Sequence, residues 1–323
     1  MIPALGRLSL TVIAILVICF SLLALSPVDP VSAYLGYGKT VVSESQRLLI
    51  VEQWHLDQTL FTRFFDWLMR FVRGDWGWSL TFNAPVTSVI SNRLGLSLPL
   101  IATAWGLSTL MGLLLGMAAG FYQGRVVDQV IRGFSWFNVT MPGYWIAMLL
   151  LLVFALRWPI LPAGGVAPPG MLATTVGTVT AIKYRILPVA ALTFTALPAV
   201  ILHGREKMVA LMESKTLLYA RAQGAGVWDI LFYHGLHHTT IPVLTFQLAA
   251  LGELIGGSLL IEQVFSWPGL GQAAVQAGLY ADIPLLMAIV VLAGVVVCLG
   301  NFLADGINRL MDVRVAEKGC REC

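Results

Sequence analysis

Three histidines, His234, His237 and His238, are the side chains that come nearest to a metal site by type and spacing. Positions i and i+4 share one face of a helix, which is a spacing that metal ligands use. The three stand in a polar stretch between two apolar segments, where a partner from the aqueous phase can dock. We therefore interpret them as docking contacts, keep metal binding as the alternative, and predict no metal ion and no cofactor.

Four cysteines are too few for a disulfide framework. Cys19 and Cys298 fall in apolar runs and are expected to pack as small hydrophobic residues. Cys320 and Cys323 form a C-x-x-C pair, a spacing found in redox and metal sites. Because the ends of chains often fray, we interpret this pair as incidental. A redox or metal role is the alternative.

Gly38-Lys39-Thr40 looks like the end of a phosphate-binding P-loop. That motif also needs a glycine five residues before the glycine that precedes the lysine, and Ala33 occupies that position. Gly-Lys-Ser/Thr occurs nowhere else in the chain. The sequence therefore predicts no ATP site of its own, and no enzyme activity is predicted.

The composition is that of a membrane protein. Hydrophobic residues make up 58% of the chain and charged residues 11%, whereas a soluble protein carries about 25% charged residues. Mean hydropathy is +0.81. The net charge of +3 is small, and basic residues do not cluster with aromatic ones, so nucleic-acid binding is not expected.

Long apolar segments predict an all-α membrane protein with about six transmembrane helices. The predicted spans are residues 8–25, 94–124, 133–156, 186–204, 241–261 and 283–304. The first belongs to a segment 1–26, which is followed by a long loop, 27–93, with amphipathic helices. A five-helix core covers 94–308 and contains a polar insert, residues 205–240. The charged tail is 309–323.

Small residues and a proline mark two spans. Gly112, Gly116, Gly120 and Gly124 recur every four residues, so one face of the second span can approach another helix closely. Pro142 is expected to kink the third span.

The basic residues indicate which side of the membrane each loop faces. Six spans place both termini on one side, and most basic residues in short segments lie on that side: Arg7, Arg125, Arg132, Arg205, Lys207, Lys215, Arg221, Arg309, Arg314, Lys318 and Arg321. The short opposite loops hold Arg157, Lys183 and Arg185. The positive-inside rule therefore predicts cytoplasmic termini, a cytoplasmic polar insert and an extracytoplasmic first loop.

The polar insert has the residues of a docking surface. Ala220, Ala222 and Gly224 give it a small surface that a partner can approach, and the glycines let the chain turn between two short helices. Apolar side chains could then fill a groove on a soluble partner: Trp228, Ile230, Leu231 and Phe232. Force applied to the insert would pass through Pro242 into the fifth span. The alternative is an amphipathic loop that rests on its own domain.

These residues resemble the cytoplasmic coupling motif, the EAA loop, of binding-protein-dependent ABC transporter permeases of the oligopeptide, dipeptide and nickel branch. The branch reads A-R-A-K-G, then a histidine, then R-N and P-V-L-T. This chain has Ala220-Arg221-Ala222-Gln223-Gly224, His234, His237-His238 and Pro242-Val243-Leu244-Thr245, so it departs at Gln223 and at the histidine pair. Tyr219 also replaces a small residue.

Other segments extend the resemblance over nearly the whole chain. Glu262 with Phe265-Ser266-Trp267-Pro268-Gly269-Leu270-Gly271 is similar to the family's E-x-x-F-S-W-P-G-L-G signature. Pro142 with Trp145 is similar to its third-span pattern. The stretch from Leu56-Asp57 to Arg73-Gly74-Asp75 looks like its first outer loop.

The resemblance implies a permease subunit in the cell inner membrane, surrounded by lipid. A second homologous permease, either a paralogue or a second copy of the chain, would complete the path, and two ABC ATPase subunits would dock on the polar insert. An extracytoplasmic substrate-binding protein would deliver a peptide, or a nickel ion or other metal chelate. The coupling residues carried over are Ala220, Arg221, Ala222, Gly224, His234 and Pro242. Transport would proceed by alternating access.

Two acidic residues remain as candidates for the translocation path. Glu253 lies in the fifth predicted span, where a carboxylate is unfavourable unless it faces a cavity or a partner. We interpret it as lining the path, where it would favour a cationic or metal-bearing substrate; hydrogen bonding within the bundle is the alternative. Glu262 marks the far end of the same span. The alternative function is an ion-coupled secondary transporter or channel subunit.

Overall fold

The computed structural model describes residues 59–171, 175–280 and 282–321, together with residues 14, 17, 18, 20 and 21, which are helical. The rest of the first predicted span, the Gly38-Lys39-Thr40 stretch and the Cys320 and Cys323 side chains lie outside this description. The described chain divides into two compact units. Unit 1 is Met1–Ser97 with Pro268–Val295, and unit 2 is Leu98–Trp267 with Val296–Cys323.

Unit 1 combines helices with a small hairpin. Helix α1 (Leu60–Val72) is capped by Thr59, whose side chain accepts a hydrogen bond from the Thr62 N–H. The antiparallel strands β1 (Trp78–Ser79) and β2 (Ala84–Pro85) follow. Unit 1 also holds the start of α2 (Val86–Phe121), α9 (Leu270–Leu279) and the start of α10 (Ile283–Arg321); the helices between α2 and α9 belong to unit 2.

The core of unit 1 lies between α2, α9 and α10. Its buried residues are Val86, Val89, Ile90, Ala273, Ala277, Leu285, Ala288 and Ile289. Helix α1 turns Phe64, Trp67 and Leu68 towards Met287, which is also buried. A helix thus forms at this part of the predicted amphipathic stretch, and its apolar side is only partly covered: Phe65 and Met69 are exposed.

Unit 2 contains the remaining helices. They are α3 (Val126–Thr140), α4 (Gly143–Leu151), α5 (Thr178–Met212), α6 (Lys215–Ala222), α7 (Leu236–Ala249) and α8 (Leu251–Val264). A π-helical stretch, Leu152–Arg157, continues α4, and a second one, Asp229–Gly235, precedes α7. Helix α5 packs against α3, α4, α7 and α8, so it forms the centre of the unit.

The described part of the chain has up to five candidate membrane spans. Helix α2, helix α5 and the apolar part of α10, Ile283–Leu310, are each long and apolar enough to cross a bilayer. Two further candidates are bent pairs, Val126–Thr140 with Gly143–Arg157 and Asp229–Ala249 with Leu251–Val264. The described chain is therefore that of a helical membrane protein, and a sixth span remains a prediction.

The helices continue beyond the apolar parts that set the predicted boundaries. Helix α2 begins at Val86, directly after β2 and before residue 93, the predicted end of the loop. Helix α5 runs from Thr178 to Met212, so the first residues of the polar insert are helical. The tail predicted at 309–323 continues α10 up to Arg321. Hydropathy marks only the apolar middle of such helices.

The third and fifth predicted spans are both broken. A bend of 100° separates α3 from α4 at Met141-Pro142, where the sequence predicted a kink. A bend of 57° separates α7 from α8. This second break falls at Ala250 rather than at Pro242, which lies within continuous α7. Trp105 Nε1 donates to the Gln247 carbonyl at 3.3 Å, and this carbonyl is the regular acceptor for the Leu251 N–H across the break.

The glycine face of α2 contacts α5, as predicted. A Cβ atom at Gly116 would lie 2.7 Å from the Ile201 carbonyl oxygen and 3.0 Å from the Arg205 nitrogen. A Cβ atom at Gly112 would lie 2.6 Å from the Cβ atom of Val200. Gly124 differs, because it follows the helix and has φ +76, which serves the turn into α3.

Candidate functional site

Beyond the end of α5, the polar insert continues with a well-defined short helix. Ser214 caps α6 by accepting a hydrogen bond from the Leu217 N–H at 3.2 Å. At the other end, the Gly224 N–H donates to the Arg221 carbonyl and the Ala225 N–H to the Ala220 carbonyl, both at 3.0 Å. With Gly224 at φ +89, this is a Schellman motif. The Ala-Arg-Ala-x-Gly sequence thus ends a helix and reverses the chain.

After the turn the chain runs back to α7 through residues 226–235, which we call the return segment. A second polar contact lies at its start. Asp229 Oδ2 accepts a hydrogen bond from the Gly226 N–H at 3.0 Å, and the Ile230 N–H donates to the Gly226 carbonyl at 3.0 Å. The π-helical stretch Asp229–Gly235 then runs into α7 without a gap. The insert is therefore two helical pieces joined by one turn, as its glycines predicted.

One face of the insert is buried in its own unit. Leu217 is completely buried and packs with Ile230, Met208 and Leu211. A Cβ at Gly235 would lie 3.2 Å from Met208 Sδ, so the return segment lies directly on the end of α5. The prediction that Ile230 and Leu231 face a partner was wrong for Ile230, which is 5% exposed, while Leu231 is partly buried.

The opposite face carries large exposed side chains. Trp228 and Phe232 stack with ring centroids 5.5 Å apart, and their exposed fractions are 72% and 59%. Leu218, Tyr219 and Tyr233 are also exposed, to at least 67%. We call the four aromatic residues on this face, Tyr219, Trp228, Phe232 and Tyr233, the exposed aromatic patch. Aromatic residues are enriched where protein interfaces carry most of their binding free energy.

The predicted coupling residues occupy different positions around this patch. Arg221, Ala222 and Gly224 are exposed, and Ala220 is half-buried. Arg221 Nη2 lies 3.5 Å from Met212 Sδ. His234 and Pro242 are half-buried, and the His234 ring packs edge-on against Tyr233 at 5.1 Å.

The other two histidines are exposed. His237 and His238 lie in the first turn of α7. Within the described ranges, no group of three or more His, Cys, Asp or Glu side chains has a metal-binding arrangement.

Glu253 and Glu262 do not form one site. Both lie on α8, where nine residues correspond to about 13 Å of helix rise. Glu253, in the first turn, is exposed, and Glu262, near the last turn, is completely buried. The Glu262 carbonyl accepts a hydrogen bond from the Trp267 N–H at 2.8 Å.

The sequence did not predict an ion pair at the first residue of the insert. Arg205 donates from Nε and Nη2 to the two carboxylate oxygens of Asp128 at 2.6 and 2.8 Å. Asp128 is completely buried, accepts the Gly124 N–H at 2.9 Å, and has Arg132 Nε at 3.3 Å. A signal existed: Asp128 is the only acidic residue between Asp75 and Glu206, and an isolated carboxylate among apolar segments needs a cation.

A neutral polar cluster also holds α7 to α2. Gln247 is buried, and its Nε2 donates to Ser108 Oγ at 2.9 Å and to Thr109 Oγ1 at 3.1 Å. Because these polar side chains lie within two apolar helices far apart in the sequence, hydropathy does not reveal the contact.

Comparison with known proteins agrees with the resemblance noted in the sequence. Residues 112–317 match the family described as "Binding-protein-dependent transport system inner membrane component". The chain is 27% identical over 304 residues to the oligopeptide transport system permease protein AppB of Bacillus subtilis, covering 94% of each chain. It is 28% identical over 306 residues to OppB of Haemophilus influenzae, which bears the same description, covering 94% of this chain and 95% of that protein.

Proposed function

This chain belongs to the family of binding-protein-dependent transport system inner membrane components, and from that premise we propose that it is the permease subunit of an ATP-driven peptide importer. A peptide is preferred to nickel or another metal chelate because the relatives AppB and OppB are named oligopeptide permeases. The proposed complex contains two ATPase subunits, a second homologous permease and an extracytoplasmic binding protein.

The exposed aromatic patch supports the ATPase-docking part of this proposal. Leu217 and Ile230, on the other face of the same segment, are buried in the core of the unit and hold the backbone in place. Binding of a partner therefore costs little additional backbone ordering. The Schellman turn at Gly224 keeps the two helical pieces together. A soluble subunit with a matching groove would bury Trp228 and Phe232.

The proposed orientation follows from the charges. The polar insert and both termini face the cytoplasm, and the first loop faces outwards. Force from the ATPases would reach α7 through the return segment, which joins α7 directly. The break at Ala250, rather than Pro242, is the proposed hinge between the insert and α8.

The docking proposal is tested by weakening the patch. Trp228→Ala combined with Phe232→Ala removes the stacked pair, and we expect the affinity for the purified ATPase subunit to fall at least about tenfold, as for the loss of interface hot spots. Binding is measured by titrating labelled ATPase onto the detergent-solubilised permease complex. Trp158→Ala is a matched control, because Trp158 is 58% exposed and lies outside the insert. Unchanged affinity in the double variant would reject this surface.

Transport itself is tested in proteoliposomes that contain the whole complex. ATP-dependent accumulation of a labelled oligopeptide is expected, and uptake driven by an ion gradient without ATP would favour a secondary transporter. Glu253 is proposed to line the path, since its side chain is exposed on α8 of the single chain. Equal uptake rates and equal preference between cationic and neutral peptides in Glu253→Gln would reject that role.

A further inference from the structure

The buried ion pair fixes two helices near the polar insert. Asp128 is in the first turn of α3 and Arg205 is in the last third of α5. The guanidinium group contacts both carboxylate oxygens, a bidentate geometry that sets the orientation as well as the distance of the two groups. The Asp128 side chain is 1% exposed and that of Arg205 is 20% exposed, so water screens the pair weakly.

The same part of α5 supports the insert. Met208 lies three residues after Arg205, so the two share a face of the helix. Met208 is completely buried and packs with Leu217 and Ile230 of the insert. Helix α2 also approaches this part of α5 closely, because a Cβ atom at Gly120 would lie 2.9 Å from the Arg205 carbonyl oxygen.

These contacts form a continuous path from the insert to α3. A displacement of the insert acts on Met208 through packed side chains, which transmit it because interiors are close-packed. Helix α5 carries it to Arg205, and the ion pair carries it to α3. Beyond α3 lies the 100° bend into α4, so no continuous helix joins α3 to α4.

We propose that Asp128 and Arg205 are positioning residues that couple movement of the polar insert to movement of α3 during transport. This inference rests on the proposed function, since the movement originates in the docked ATPase. It concerns neither the docking surface nor the ATP site. Weakening the pair therefore separates ATP hydrolysis from transport while ATPase binding persists.

The test measures the number of ATP molecules hydrolysed per peptide imported by the complete complex in proteoliposomes. Arg205→Lys keeps the charge but removes the bidentate contact, and Asp128→Asn keeps the shape but removes the charge. We expect both variants to bind the ATPase with wild-type affinity and to raise the ATP-to-peptide ratio on the order of tenfold, within the range found for residues that modulate coupling. Lys183→Gln is the matched control, because Lys183 is an exposed cation on the same helix and lies outside the insert; its ratio should not change.

The outcomes are distinguishable. An unchanged ratio, whether uptake and hydrolysis fall together or stay normal, would overturn the coupling role. Loss of the assembled complex in both variants would also overturn it, because the pair would then serve folding. If the wild-type complex fails to bind an ATPase or to import peptide with ATP, the proposed function fails first, before any variant is compared.

Discussion

Each of the two compact units contains a completely buried aspartate, and the two carboxylates are stabilised in different ways. Asp128 in unit 2 contacts Arg205 and Arg132. Asp282 in unit 1 accepts hydrogen bonds from uncharged donors: Ser79 Oγ at 2.6 Å, the Thr81 N–H at 3.0 Å and the Leu285 N–H at 3.3 Å. Asp282 thereby joins the hairpin to the start of α10.

The difference shows what each carboxylate does. Asp282 directly precedes α10 and contacts the N–H of its third residue, as an N-cap does, and the partial positive charge of the helix start favours it. It holds a local turn. Asp128 instead joins two long helices through a charge pair, so its removal leaves a cation with no counterion. The charged link between helices is therefore the more sensitive of the two.

The largest expected effect comes from replacing the two aspartates with asparagine. Asp128→Asn leaves Arg205 without its counterion, and we expect a loss of roughly 2–4 kcal/mol of folding free energy. Asp282→Asn should lose about 1 kcal/mol, because asparagine is also a good N-cap and its amide oxygen still accepts hydrogen bonds. Thermal unfolding of the purified variants in detergent, followed by tryptophan fluorescence, measures both.

Lys183→Gln serves as control here too, since it removes a cation from α5 without touching Asp128. If the two aspartate variants unfold at the same temperature, the cation stabilises Asp128 no more than the uncharged donors stabilise Asp282.

A smaller difference in stability is expected when one glycine of each unit is replaced by asparagine. Gly116 is needed for space, because a side chain there meets the backbone of α5. Gly77, beside the hairpin of unit 1, is needed for its φ of +81, while its nearest neighbour, Pro284 Cβ, lies 3.5 Å from an ideal Cβ. Asparagine tolerates the left-handed conformation, so Gly77→Asn should cost less than about 1 kcal/mol. Gly116→Asn should cost about 1–3 kcal/mol because it overpacks the helix contact.

Both variants are compared by the same unfolding measurement. Gly106→Asn is the control for placing asparagine in α2, since no atom lies within 4 Å of its ideal Cβ. A Gly116 variant as stable as the Gly106 variant would contradict the close approach of α2 and α5.

The fold was predictable where one physical signal dominated. Apolar length predicted the helical class, four-residue glycine spacing predicted that one face of α2 contacts another helix closely, and Pro142 marked the break between α3 and α4. The break at Ala250 was not predictable, because it coincides with a hydrogen bond from Trp105, far away in the sequence. Helix ends were missed because polar residues can extend a helix beyond the apolar core.

The candidate site was predictable to a similar degree. Local spacing was enough to infer that the Ala220–Gly224 sequence ends a helix and turns the chain. The outward side of the return segment could not be inferred, because Ile230 and Phe232 are both apolar. Ile230 is the buried one because it packs against Met208, which is distant in the sequence. The pairing of Asp128 with Arg205 joins residues 77 positions apart. An isolated acid in the sequence indicates that a partner exists without identifying it.

A last comparison tests whether the Asp282 carboxylate depends on one of its hydrogen-bond donors. Ser79→Ala removes the shortest hydrogen bond to the carboxylate but leaves the Thr81 and Leu285 N–H donors, so the loss should be about 1 kcal/mol. Ser91→Ala is the matched control, because its exposed hydroxyl donates only to the Ser88 carbonyl of its own helix, and its stability should not change. A loss for Ser79→Ala as large as that for Asp128→Asn would mean that Asp282 depends on one donor. The Asp282 carboxylate would then rely on one contact, as the Asp128 carboxylate relies mainly on Arg205, and the contrast between the two regions would be lost.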